Sequence, residues 1–210
     1  MSAVVNAAGA NFVLLGPGDT MVKSTKPVIA VGAVRTGCGK SQTSRKVIEY
    51  LMEKGLKVVA IRHPMPYGDL AKQAVQRFAR LEDLEKHECT IEEREEYEPH
   101  LALGNVVYAG VDSAEITRQA EAEADVILWD GGNNDFPFLR PDLHIVLVDP
   151  LRPGNETTHH PGEAVLRMAD IIVVAKVNSA SDADVQLVTE NARCINPDAS
   201  IVRGASPVQL

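Results

Sequence analysis

The sequence predicts an α/β fold of three layers, a mostly parallel sheet held between helices. Two observations carry that expectation. Short apolar runs recur at 27–31, 56–61, 106–110, 126–130, 143–148 and 171–175, each of strand length and largely without polar alternation, as strands buried on both faces require. Between several of them lie stretches with apolar residues at helical spacing, such as 42–51, 113–124 and 182–194, and strands alternating with helices pair in parallel through right-handed crossovers.

The first run, Pro27–Val31, leads into Gly32-Ala33-Val34-Arg35-Thr36-Gly37-Cys38-Gly39-Lys40-Ser41 and then into the helical stretch from Gln42 to Leu51. A glycine loop between a strand and a helix turns successive N–H groups inward over a helix N-terminus, which suits a polyphosphate. The loop from Thr36 through Gly37, Cys38, Gly39, Lys40, Ser41 and Gln42 is therefore expected to cradle a nucleotide. Lys40 would contact the outer phosphates, and the Ser41 hydroxyl would ligate Mg²⁺. The usual spacing, G-x-x-x-x-G-K-[ST], asks for glycine where this chain has Val34. The shorter T-G-C-G-K-S resembles the loops of dethiobiotin synthetase and of the MinD-type ATPases. In the MinD-type loops a second lysine precedes the invariant one by five residues, and Arg35 holds that place here. Arg35 would either reach the nucleotide of a second copy in a two-fold dimer, act on its own nucleotide, or cap the loop. The fold expected is thus that of a P-loop NTPase.

At 210 residues the chain is long enough to bury a sizeable core. Its 45% hydrophobic and 24% charged residues are ordinary for a soluble globular protein. No apolar run reaches the length of about 20 residues that a membrane span needs, and no secretory segment is visible, so a cytoplasmic protein is expected. Three cysteines, Cys38, Cys89 and Cys194, lack metal-ligand spacing and read as free thiols. A net charge of −8 argues against nucleic acid as a partner.

Asn11–Leu15 reads as a strand, and with the connector to Lys26 it resembles the tail of a preceding unit, so residues 1–26 are set apart from a nucleotide domain over 27–210. The strand at 56–61 delivers Arg62 and His63 to the edge where open α/β sheets bind ligands. From Leu70 to His100 the pattern is helical and highly charged, and Glu92-Glu93-Arg94-Glu95-Glu96 reads as a solvated helix face. The run Val126–Trp129 ends in Asp130, placed to share Mg²⁺ with Ser41, and continues through Gly131 and Gly132 to Asn133 and Asn134, whose amides would orient a substrate oxygen. The strand at 143–148 delivers Arg152. His159 and His160 read as loop residues, because adjacent side chains diverge. After the strand at 171–175, Lys176-Val177-Asn178 stands where nucleotide switches carry N-K-x-D. An amide at Asn178 both donates and accepts, which favours adenine over guanine. Ala205 and Ser206, in the turn after a last strand at 199–202, would pack against the base.

With these residues in place the chain resembles the cyclic 2,3-diphosphoglycerate synthetase family. The matching stretches include KPVIAVGAVRTGCGKSQTSRKV, VVAIRHPMPYGDLAKQAVQRF, CTIEEREEYEPH, ADVILWDGGNNDFPF and RMADIIVVAKVN. Members of that family are about twice as long, so the resemblance is to their central nucleotide domain. It implies ATP- and Mg²⁺-dependent closure of an intramolecular phosphoanhydride in 2,3-diphosphoglycerate, with release of ADP and phosphate. Lys40, Asp130 and Arg35 would then serve catalysis, while Arg62, His63, Asn133, Asn134 and Arg152 would hold the small phosphorylated anion. A regulatory or metallochaperone-type GTPase/ATPase switch is the alternative.

Overall fold

The structure is a computed structural model that describes residues 1–206 apart from Pro64, Pro66, Tyr67, Asn133 and Asn134. Two short helices, α1 (Ser2–Ala7) and α2 (Pro17–Thr20), precede β1 (Val28–Ala33), α3 (Lys40–Glu53) and β2 (Val58–Arg62). Next come β3 (Gln76–Phe78), α4 (Leu81–Lys86), α5 (Ile91–Ala102), β4 (Val106–Ala109), α6 (Ser113–Glu123) and β5 (Val126–Asp130). The chain continues through β6 (Leu143–Val148), α7 (Gly162–Arg167), β7 (Ile171–Val174), α8 (Asp182–Ile195) and β8 (Ser200–Arg203). The strands form one eight-stranded sheet in the order β3-β4-β2-β5-β1-β6-β7-β8. All neighbours run parallel except β3, which pairs antiparallel with β4 at one edge. The expected α/β architecture is present.

The period of two along each strand sorts side chains between the two faces. Val31 and Ala33 of β1, Val58 and Ala60 of β2 and Leu128 of β5 pack in a core cluster with Ile48 of α3 and Tyr97 of α5. Val28, Ala30, Val59, Ile61, Ile127 and Trp129 pack in a second cluster with Ile116 and Ala120 of α6. One consequence of this alternation matters for chemistry. Arg62 and Asp130 continue the parity of Ala60 and Leu128, so both turn toward α3 and α5, and they are register partners across β2 and β5.

Two local expectations fail. Asn11–Leu15 forms no strand, and Val13, Leu14 and Leu15 lie exposed, because an extended segment needs a ladder partner for its backbone groups. The connector pairs instead at Val22, which bridges to Leu139. The stretch 70–100 is not one helical unit either. It contains β3, in which Gln76 and Phe78 are buried and Arg77 points out to pair with Glu123, followed by α4 and α5. Nor is the acidic run simply a solvated face. Thr90 and Glu93 close a capping box at the start of α5, and Glu93, Tyr97 and His100 are all buried. Spaced four and three residues apart, they share one face of the helix, which packs inward although two of its three members are polar.

Candidate functional site: a nucleotide cradle with a buried ion-pair network

The loop between β1 and α3 takes the geometry its glycines allow. Gly37 and Gly39 have φ of 83° and 104°, left-handed values at which a side chain is strained. Gly39 caps α3, and Lys40 is its first residue. Val34, the departure from the usual spacing, is fully buried, and its N–H donates to the Leu147 carbonyl at 3.1 Å. Gly162, the first residue of α7, packs so closely on the Val34 backbone that a Cβ there would collide with the Val34 carbonyl. The glycine this contact needs is therefore on the neighbouring element.

Two side chains hold the loop from outside, and a third, Arg35, ties it from within. Lys176, itself at φ 53°, donates from Nζ to the Gly37 carbonyl at 2.6 Å and to Asp149 Oδ2 at 2.8 Å. Arg152 donates from Nη1 to the Thr36 carbonyl at 3.2 Å, with its Nε 3.8 Å from the same Asp149 oxygen. Arg35 donates to Asn155 Oδ1 at 3.1 Å, so it is turned back onto its own chain. Asp149, nearly fully buried at the end of β6, anchors two of these three contacts. Its part was not read from the sequence, where the D-P-L-R-P-G run drew attention to Arg152 alone.

A cleft of about 430 Å³ opens above the loop, bordered by Thr36, Gly37, Gly39, Lys40, Ser41, Gln42, Arg45, Arg62, His63, Glu96, Gly131, Gly132 and Lys176. Most of the residues expected to touch phosphates are thus assembled in one place. Burial lowers the Lys40 pKa, and Arg62 lowers it further, while Asp130 works in the opposite direction. Beside the cleft a groove of about 610 Å³ runs between α3 and the turn after β8, bordered by Gln42, Val47, Tyr50, Ala205 and Ser206. Asn178 Oδ1 accepts from the Ser206 N–H at 2.8 Å, which ties the predicted base-reading residue to that turn.

Asp130 is the centre of the second group. It is fully buried; Oδ1 accepts from Ser44 at 2.6 Å, and Oδ2 lies 2.8 Å from Arg62 Nη1 and 3.1 Å from His100 Nε2. Burial alone would raise its pKa. The charge of Arg62 and the bonds from His100 and Ser44 outweigh that and hold the carboxyl well below the usual range. Arg62, 2% exposed, also donates to the carbonyls of Asp130 and Gly131 and pairs with Glu96 at 2.7 Å. This revises two expectations. The Asp130 oxygens bond to Ser44, one turn into α3, and Arg62 is bound to two carboxylates rather than held ready for a substrate phosphate. Ser44, Glu96 and His100 were not singled out from the sequence. The three-and-four spacing of 93, 96 or 97, and 100 was the available signal. His63 borders the cleft with Nδ1 3.5 Å from Asp135 Oδ2. Asn133 and Asn134 lie outside the described residues.

No family model matches the chain. Over 208 residues it is 62% identical to the arginine synthetase ArcE of Thermococcus kodakarensis, a match covering 99% of this chain and 46% of that protein. Over 77 residues it is 29% identical to the cyclic 2,3-diphosphoglycerate synthetase of Pyrococcus furiosus, covering 37% of this chain and 18% of that one. The chain thus spans less than half the length of the arginine synthetase. Among solved structures it superposes on the hydrogenase maturation factor HypB of Archaeoglobus fulgidus with a TM-score of 0.51 at 18% identity, over 85% of this chain and 80% of that one. That likeness shows a P-loop NTPase fold. Among the described residues no helix is long and apolar enough to cross a membrane.

Proposed function

We propose that the chain binds ATP with Mg²⁺ and is the nucleotide-handling part of a synthetase that forms arginine. The observation that carries this reading is the 62% identity to an arginine synthetase across almost the whole chain, cradle included. A synthetase couples nucleotide cleavage to bond formation, so the γ-phosphoryl group would lie over Lys40 and beside Gly131 and Gly132. Lys40 and the loop N–H groups would offset the charge that develops during transfer.

The donor set suits Mg²⁺ shared with a nucleotide. Among the described residues no three His, Cys, Asp or Glu side chains form a ready-made metal cage, and Mg²⁺ is commonly held by one or two carboxylates together with phosphate oxygens and water. Ser41, which borders the cleft, would supply the hydroxyl, and Asp130, whose oxygens are bonded to Ser44, Arg62 and His100, would stand behind it. The ion, when bound, would neutralise phosphate charge. The residues' own work is to fix the loop and exclude water behind it.

A second reading, formation of cyclic 2,3-diphosphoglycerate, is favoured by the 77-residue match. It needs cations directed at a doubly phosphorylated acceptor, and both expected arginines have other partners: Arg62 with Asp130 and Glu96, Arg152 with Thr36 and Asp149. Arginine formation is therefore placed first. Incubating the protein with arginine, ADP and phosphate, and trapping new ATP with hexokinase and glucose, is expected to show arginine-dependent ATP formation. Phosphate release from ATP that depends on 2,3-diphosphoglycerate, with no arginine-dependent signal, would establish the second reading instead.

Base choice has its own test. Asn178→Asp keeps an acceptor for the Ser206 N–H but loses the amide donor. The variant is expected to move preference from ATP toward GTP by roughly tenfold or more, the scale of a base contact worth about 1–3 kcal/mol. Parallel calorimetric titrations with the two nucleotides measure it, and an unchanged ratio would show that Asn178 does not read the base.

A further inference from the structure

Facing the P-loop across the cleft is a wall of different character. His63 follows β2, Glu96 projects from α5, and Asp135 follows the glycines after β5. His63 Nδ1 is buried without a hydrogen-bond partner among the described residues, and the carboxylate oxygen beside it, Asp135 Oδ2, lies 3.5 Å away. Gly132 lies where they meet: a Cβ on it would run into both His63 Nδ1 and Asp135 Oδ2. The glycine is what lets the pair lie across the backbone.

The charges sort by side. Lys176 and Arg152 bind loop carbonyls and Asp149, and Arg62 lies between Asp130 and Glu96. The wall presents the His63 imidazole and the Glu96 carboxylate beside Arg62, with Asp135 next to the ring. Burial is the main influence holding the His63 pKa below its ordinary value; Arg62 and Lys40 act in the same direction, against Asp135 and Glu96. At neutral pH the ring is therefore neutral, with a nitrogen able to take a proton.

We propose that this wall is the acceptor site for a nitrogen nucleophile, an ammonium ion or primary amine, with Glu96, whose Oε2 pairs with Arg62, holding its cationic form through the other carboxylate oxygen, and His63, beside Asp135, taking the proton that frees its lone pair. The inference rests on the arginine-forming reading, because that product class supplies the reason for a nitrogen to enter. In the step, the ammonium nitrogen gives one proton to the His63 imidazole. The freed lone pair then forms a bond to the carbon of a substrate already phosphorylated by ATP, and phosphate leaves with the electron pair of the C–O bond. His63 is thereby left as imidazolium. In the reverse direction it returns that proton to the departing nitrogen.

The test follows the reverse reaction, ATP formation from arginine, ADP and phosphate, across pH. Wild-type rate is expected to fall as pH rises through the His63 pKa, since the imidazolium is the donor in that direction. His63→Gln is expected to lose that limb and about 10²-fold or more in rate, the scale of a positioned acid or base, with ATP affinity and melting temperature unchanged. Added imidazole should restore part of the rate in His63→Ala, which a merely structural role would not allow. Asp135→Asn should fall between, and Glu96→Gln should raise the KM for arginine more than it lowers kcat. If wild type forms ATP from arginine but His63→Gln retains both the rate and the limb, the assignment of His63 is overturned while the arginine-forming reading stands. If His63→Gln does not fold, Asp135→Asn decides, and a wild-type rate and profile in that variant overturns the proposal. A wild type that forms no ATP from arginine refutes the reading beneath both.

Discussion

Replacing Asp130 by alanine is expected to destabilise the protein by about 3–5 kcal/mol, the usual consequence of removing one partner from a buried ion pair. The reason is local. Arg62 and Asp130 are both almost wholly buried, as is His100, and without the carboxylate the guanidinium keeps, among the described residues, Glu96 and two carbonyls. At about 2–4 °C per kcal/mol for a domain of this size, the melting temperature should drop by roughly 6–20 °C. Asp130→Asn preserves volume and an acceptor for Ser44, so it should fall less. A melting temperature within about 2 °C of wild type in the alanine variant would show that the network contributes little to stability. Acid tests the same group. Its pKa is lower folded than unfolded, so its stabilisation is present above the unfolded value of about 3.9 and is lost as pH falls below it. In Asp130→Asn that part of the acid-induced loss should vanish.

Lys40→Ala is expected to weaken ATP binding by one to two orders of magnitude, from the loss of a charge-assisted hydrogen bond worth about 1.5–3 kcal/mol. Isothermal titration with Mg-ATP measures it. The contrast with Asp130 is the informative part, since Lys40→Ala should lose affinity with little change in melting temperature, whereas Asp130→Ala should do the reverse. Equal ATP affinity in wild type and Lys40→Ala would remove the support for a phosphate cradle.

How much of this was legible in the sequence depends on the kind of pattern. The parallel sheet was readable because β1, β2, β5 and β6 are apolar on both faces, and the loop was readable because its glycines and Lys40 lie adjacent in the chain. Asp130 could be placed at a strand end, but its partners could not. Arg62, Ser44 and His100 come from three other elements and meet it only through the register of β2 with β5 and the packing of α3 and α5. The inward face of α5 was hidden for a physical reason: it is built from Glu93, Tyr97 and His100, so hydrophobic periodicity gives no sign of it. Likewise β3 was masked by Arg77, whose charge is satisfied by Glu123 from α6, 46 residues away. Asn11–Leu15 shows the opposite error, since five residues with strand-like composition do not make a strand unless a partner edge is available.

Asp149 has a consequence for when the loop becomes ordered. Through Lys176 and Arg152 it fixes the carbonyls of Gly37 and Thr36. Confining a residue's backbone costs about 1–2 kcal/mol of entropy, and glycines lose the most. Here that loss falls on folding, because the restraints come from the protein's own side chains. A nucleotide arriving at the cleft then meets a loop already confined, and more of its interaction energy remains as affinity than a slack glycine loop would leave.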